Sequence, residues 1–279
     1  MSIMLLCMTS CFKRDDLEGV DIYTTVYPIQ YVTDFLYGYN SQVRSIYPAE
    51  TKPEEYTLTE KKIEEYSKGA IFIYNGLSNE KGFARDLLNE NKKLRIIDVS
   101  QGLEYSHSVE ELWMNPSDFL MLAHNIKNGL EEYINNKYII EEINKNYEDL
   151  KVLISAFDAE LDTAIDNAKD TNILIASDTL TFLSKYGFTI TNVDDSSGEV
   201  PQTTKTKAKK LINDKTVKYI YMLDNQEETD TIKELVSAGA EIVRLKSMTI
   251  LSEEDTQNKA TYKTMMRDNI EDIKKEIFE

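Results

Sequence analysis

The stretch Lys137–Ala168 runs for about thirty residues without a glycine or a proline. Its apolar positions are Ile139, Ile143, Tyr147, Leu150, Ile154, Phe157, Leu161, Ile165 and Ala168. They advance in steps of three and four, the repeat of one amphipathic helix. At about 1.5 Å of rise per residue such a rod is roughly 45 Å long, longer than a small domain is wide. It either meets a coiled-coil partner or, more economically, spans two lobes and packs against both.

On both sides of the rod, short apolar runs alternate with amphipathic stretches. Before it the candidate strands are Asp21–Val26, Gln42–Ile46, Ala70–Tyr74 and Leu94–Asp98, with helices expected at Ile29–Tyr37, Thr59–Ser67, Glu80–Asn89 and Pro116–Ile134. Thr57, followed three residues later by Glu60, has the pattern of a capping box for the second of these helices. After the rod come strands Asn172–Ala176, Thr189–Val193, Lys218–Met222 and Glu241–Leu245. Helices are expected at Leu180–Tyr186, Lys205–Ile212, Thr229–Val236 and Asn258–Phe278. Strands separated by helices of this length make β-α units and parallel sheets. The expected fold is therefore α/β: two parallel-sheet lobes joined by one long rigid helix. A ligand cleft is expected between the lobes, at the carboxyl ends of the strands. The division reads 1–18 as signal and tether, 19–136 as the N-terminal lobe, 137–168 as the linking helix and 169–279 as the C-terminal lobe.

The 279 residues carry a formal charge of −17. That balance excludes a nucleic-acid partner, which needs clustered Lys and Arg. It suits a secreted or surface protein or a binder of cations, although most of the acids simply keep the surface solvated. The two cysteines, Cys7 and Cys11, both lie at the extreme N-terminus, so no disulfide staples the body of the fold. The apolar run Ile3–Met8 leads into Met8-Thr9-Ser10-Cys11, which resembles a bacterial lipobox with Cys11 as the lipidated residue. The run is too short to span a bilayer. The alternative is an accidentally apolar, frayed terminus.

The chain lacks GxxxxGK[ST], GxGxxG after a strand, GxSxG and HExxH. Its two histidines are His107, in a loop, and His124, on a helix face. Nucleophilic catalysis needs a base beside a Ser or Cys, and that case is weak here. Asp178 follows a strand but lacks the flanking acids of a phosphotransferring aspartate. The segment "SVEELWMNPSDF" holds the only tryptophan, Trp113, at a junction from loop to helix. Asn115 suits its N-cap, Pro116 its first helical position and Asp118 its first turn. Four loops at strand ends are expected to converge on the cleft: Thr51–Thr59, Ser106–Pro116, Ala176–Thr181 and Leu245–Leu251.

The opening "IYTTVYPIQYVTDFLYG" followed by "IYP", the later "GAIFIYNGL" and "RIIDVSQGLEY", and the closing "LSEED…YKTMMRDNIEDIKK" occur in a telling order. Together they resemble the zinc/manganese-type (cluster A-I) solute-binding proteins of ABC transporters, a group that includes the lipoprotein adhesins. The resemblance covers nearly the whole chain. It implies a transport component with no catalytic residue, anchored by lipid at the outer face of the cell membrane. It also implies a monomer that delivers a divalent cation, Mn or Zn, to a permease and its ATPase.

That family clasps its ion with four side chains, two from each lobe, mostly histidines. Its Pro-His-x-Tyr-x-x-Thr stretch is Pro53-Glu54-Glu55-Tyr56-Thr57-Leu58-Thr59 here, so Glu54 holds the first ligand position. Its His-x-Trp-x-x-Pro is Glu111-Leu112-Trp113-Met114-Asn115-Pro116, so Glu111 holds the second. The third falls on Ser177 or Asp178 and the fourth, usually Asp, on Lys246. The metal set implied is Glu54, Glu111 and Asp178, with Lys246, Ser177, His107 and Trp113 in or near the cleft. Carboxylates in place of imidazoles suit harder cations than zinc. A protonated lysine has donors only and cannot ligate, so Lys246 either spoils one position or itself replaces the ion as a salt bridge to Glu54 or Glu111. Two rivals stand beside the metal carrier. One is a diverged member that binds another ligand or serves adhesion or sensing. The other is an α/β enzyme, which would need a perturbed carboxylate pair in a pocket.

Overall fold

A computed structural model describes residues 19–166, 168–196 and 198–278. The expected signal and tether, with Cys7 and Cys11, lie outside the described residues. The first sheet consists of β1 (Asp21–Thr24), β2 (Gln42–Ser45), β3 (Ile71–Tyr74) and β4 (Arg95–Asp98). Its order is β2-β1-β3-β4 and every pairing is parallel. The second consists of β5 (Asn172–Ile175), β6 (Thr189–Asn192), β7 (Tyr219–Leu223) and β8 (Glu241–Leu245). It repeats that order as β6-β5-β7-β8, again all parallel. Strands β3 and β7 are buried at every position. Helices on both faces of a parallel sheet require such unbroken apolar runs.

The first sheet is wound by α1 (Tyr27–Tyr37), α2 (Glu60–Tyr66) and α3 (Glu80–Glu90). Helix α1 begins two residues before its expected start, because Pro28 fits its first turn. The cap of α2 is a correction. Thr59, not Thr57, is the N-cap, and its hydroxyl accepts the Lys62 N–H at 3.4 Å. After β4 come a short helix α4 (Glu111–Met114) and α5 (Pro116–Tyr133). Asn115 caps α5 as expected, its side chain accepting the Ser117 N–H at 3.3 Å and donating to Asp118 at 2.7 Å.

The rod is α6 (Lys137–Asp166). Its buried residues Ile139, Ile143, Leu150, Ile154, Phe157, Leu161 and Ala164 belong to the main apolar cluster. It packs on α1 and α5 at the first lobe and on α10 (Tyr262–Phe278) at the second. The apolar stripe is thus covered within the chain, and the coiled-coil alternative falls away. In the second lobe the stretch Asp178–Tyr186 winds as a 3₁₀ helix closed by Gly187 in the left-handed region, φ 95°, where an α-helix was expected from Leu180. The remaining helices are α7 (Gln202–Asn213), α8 (Asp230–Ser237) and α9 (Glu253–Gln257). Helix α9 carries a capping box, Ser252 with Asp255, and lies ahead of the expected final helix, which starts at Tyr262 as α10 rather than at Asn258.

The two lobes meet on a packed seam. The Trp113 indole N–H donates to the Ser247 carbonyl at 2.8 Å, and the Tyr27 N–H donates to the Thr249 carbonyl at 2.9 Å. Tyr262, fully buried, donates its hydroxyl to the Trp113 carbonyl at 2.7 Å and stacks on Phe119 with ring centres 3.9 Å apart.

Candidate functional site

Between the lobes, at the carboxyl ends of the strands, lies a cleft of about 500 Å³. The loop after β2 contributes Glu50, Thr51, Lys52, Pro53 and Glu54, and Glu110 stands at the entry to α4. The loop after β7 contributes Asp224 and Asn225, the loop after β8 contributes Ser247, Thr249, Ile250 and Ser252, and α9 contributes Asp255. Carboxylates therefore line the cleft from both lobes. Two cleft loops also hold a non-glycine residue in the left-handed region, Glu50 at φ 58° and Met248 at φ 59°. Such backbone costs of order 1 kcal/mol or more and persists only where surrounding contacts impose it.

Lys246 stands beside the second-lobe wall with its side chain partly exposed. Its ammonium is 2.9 Å from Asp255 Oδ1 and 3.9 Å from Asp224 Oδ2. Burial pulls its pKa down, but Asp255, Asp224 and Glu254 outweigh burial and hold it above the usual lysine range. Burial pushes Asp255 up, yet the Ser252 hydroxyl and amide, with Lys246, hold it below the usual carboxylate range. The salt bridge expected to Glu54 or Glu111 is thus replaced by one within the second lobe.

Glu111 is engaged locally. Its carboxylate accepts the backbone N–H groups of Ser106 at 2.9 Å, His107 at 2.8 Å and Ser108 at 3.2 Å. It closes the loop ahead of α4 rather than facing Lys246. The same loop touches the second lobe, with Ser108 Oγ 2.7 Å from Thr179 Oγ1 and His107 Nδ1 3.7 Å from Asp178 Oδ2. Asp178 in turn accepts from the Asn192 amide, and its own N–H donates to Asp194 at 2.7 Å. Ser177 is buried, and its hydroxyl has no hydrogen-bond partner among the described residues. Trp113 has no exposed surface, so it is a seam residue rather than a cleft wall or ligand. Glu54 is exposed and lines the cleft. Among the described residues no group of three or more His, Cys, Asp or Glu is placed to hold a metal ion. The structure brings His107 and Asp178 together, but not Glu54, Glu111 and Asp178 in one clasp.

The family model for the zinc-uptake complex component A, periplasmic (ZnuA), matches residues 22–276. The chain belongs to the ZnuA family. The zinc-binding lipoprotein AdcA of Streptococcus pneumoniae is 21% identical over 299 aligned positions, covering 98% of this chain and 59% of AdcA. The chain thus spans about three-fifths of that relative's length. The Zn(II)-bound ZnuA-like domain of the same AdcA superposes with a TM-score of 0.74 at 20% identity, covering 94% of this chain and 100% of the domain. The metal-dependent lipoprotein YcdH of Bacillus subtilis superposes with a TM-score of 0.74 at 18% identity, covering 93% of this chain and 100% of that one. At these identities the likeness carries the two-lobe fold.

Within this family fold, sequence reasoning found Glu54 and Lys246 but passed over Glu50, Glu110, Asp224 and Asp255. Asp224 was within reach, since "YMLDN" places an acid directly after a strand, where α/β sheets put their ligand loops. Asp255 was hidden by its second role as the capping-box residue of α9.

Proposed function

We propose that this ZnuA-family chain is the extracytoplasmic solute-binding component of a metal-type ABC transporter. It takes a divalent cation of the Mn or Zn type between its lobes and passes it to a permease and its ATPase. The observation that carries this reading is the cleft, lined by carboxylates of both lobes in a chain matched by the family model along nearly its whole length. Glu54 is the donor already at the cleft. Glu111, Asp178 and His107 complete the set once Glu111 leaves its three amides, a local loop change that the packed seam allows more readily than a hinge motion. Oxygen-rich ligation of this kind suits a hard ion such as Mn²⁺ better than an imidazole set does. Cys11, in its lipobox, tethers a monomer to the outer face of the membrane; no helix among the described residues is long and apolar enough to cross one. No residue is assigned a catalytic role.

A second reading is favoured by one observation. Glu111 and Lys246 are both satisfied by internal partners, which suits a member that has given up the metal and holds another ligand or serves as a surface module. Isothermal titration and native mass spectrometry with Mn²⁺ and Zn²⁺ decide between them. The metal carrier binds one ion at micromolar concentration and loses it in Glu54→Gln. A chain with no bound ion under those conditions is the diverged member.

A further inference from the structure

Asp224 and Asp255 share a division of labour. Asp224 accepts the Ser247 N–H through Oδ1 at 2.9 Å and turns Oδ2 toward Lys246. Asp255 accepts the Ser252 N–H and hydroxyl through Oδ2, at 3.2 and 2.6 Å, and gives Oδ1 to Lys246. One oxygen of each acid is fixed to the backbone frame, and the other faces a single cationic point. Both acids line the cleft, as does Thr249, a buried residue whose hydroxyl has no hydrogen-bond partner among the described residues. The backbone of Lys246 is held independently of its side chain. Asn269 accepts its N–H at 2.7 Å and donates to its carbonyl at 2.9 Å.

We propose that Lys246 is a specificity-determining residue: its ammonium occupies the point between Asp224 and Asp255 where a divalent cation would otherwise sit. It thereby closes the Asp224–Asp255 corner of the cleft to such ions. This rests on the reading of the cleft as the capture site. The charges follow directly. Two carboxylates and one ammonium leave −1, against which a dication must displace an ion pair. Without the ammonium they leave −2, which one dication neutralises. The two oxygens stand 2.9 and 3.9 Å from Nζ. Hard divalent ions hold oxygen at about 2.0–2.6 Å, so small side-chain shifts suffice to ligate one. Lysine cannot be such a ligand itself, because it has donors only. The donors left open to cargo are then those of the proposed set, Glu54 with Glu111, His107 and Asp178.

The test is titration of Mn²⁺ and Ca²⁺ into wild type, Lys246→Ala, Lys246→Met and Lys246→Met/Asp255→Asn, each first checked for its native circular dichroism spectrum. Lys246→Met keeps the stem and removes only the charge, so it answers if the alanine variant does not fold. The expected result is at least a tenfold gain in affinity, or one additional bound ion, in the Lys246 variants, reversed by Asp255→Asn. Variants that titrate like wild type overturn the proposal. Wild type without binding but a gain in Lys246→Met retires the cation-carrier reading and leaves this one standing. Equal binding by both does the reverse.

Discussion

Glu111 and Glu80 show how a single carboxylate can be fixed in place in two different ways. Glu111 is partly exposed and gathers three N–H donors from residues 106–108. Hydrogen bonds to an ionised acceptor are stronger than neutral ones, and water can replace part of what is lost at an exposed loop. Glu111→Ala is therefore expected to lower stability by about 1–2 kcal/mol, read from urea unfolding with an unchanged slope. An unchanged midpoint would show that the three bonds hold nothing. Glu80 is 2% exposed, accepts the Asn75 N–H at 2.8 Å and faces the Tyr47 hydroxyl at 3.3 Å. Burial raises its pKa to about 7 from 4.5, despite those bonds. Between these values the unfolded chain has released the proton that the folded chain still holds, so stability falls as pH rises. The contribution is complete below pH 4.5, is gone above about 7, and is on the order of 3 kcal/mol. Asp34 and Asp118, also raised by burial, act in the same direction. Denaturation midpoints of wild type are expected to drop across this window and those of Glu80→Gln to stay flatter; parallel profiles would refute the assignment.

Elements differ in how much of themselves they write into the sequence. Helix α6 was legible because its apolar positions from Ile139 to Ile165 kept helical spacing with no breaker between them, although it ends at Asp166 rather than Ala168, and β8 matches its expected bounds to the residue. Helices α4 and α9, of four and five residues, are too short to display a period. The site divided along the same line. The family resemblance pointed to Glu54, Glu111 and Lys246, but their partners lie in loop geometry and across the chain, as with Lys246 and Asp224, and no motif reaches those. The contact of α5 with β4 is another such pairing. A Cβ on Gly129 would stand 2.5 Å from Ile97 Cγ2, well inside contact distance. Gly129→Ala gains helix propensity but must push α5 off the sheet, and overpacking of this kind costs typically 1–3 kcal/mol. The expected net effect is a loss of about 1 kcal/mol or more in urea unfolding; a stabilised variant would mean that Ile97 yields freely.

At the scale of the molecule, the seam decides what kind of binding motion is available. The main apolar cluster runs without interruption from β1 of the first lobe to Tyr262, Met265 and Ile270 of α10, and a smaller cluster occupies the outer layer of the second lobe. Opening the lobes would expose Phe119, Tyr262 and the only tryptophan, and would break the bonds from Trp113 to Ser247 and from Tyr262 to Trp113. Apolar burial at about 25 cal/mol per Å² makes exposing several such rings costly, so the capture proposed above is expected to proceed by loop movement over a fixed frame. The same continuity predicts one cooperative unfolding transition. Trp113 sits on the seam and is the sole tryptophan, so its emission reports the seam alone, while far-ultraviolet circular dichroism reports the helices of both lobes. In urea the two signals are expected to change together with one midpoint. Emission that shifts at lower urea than the dichroism would mean that the lobes part before either melts. The fixed-frame account would then give way to a hinge.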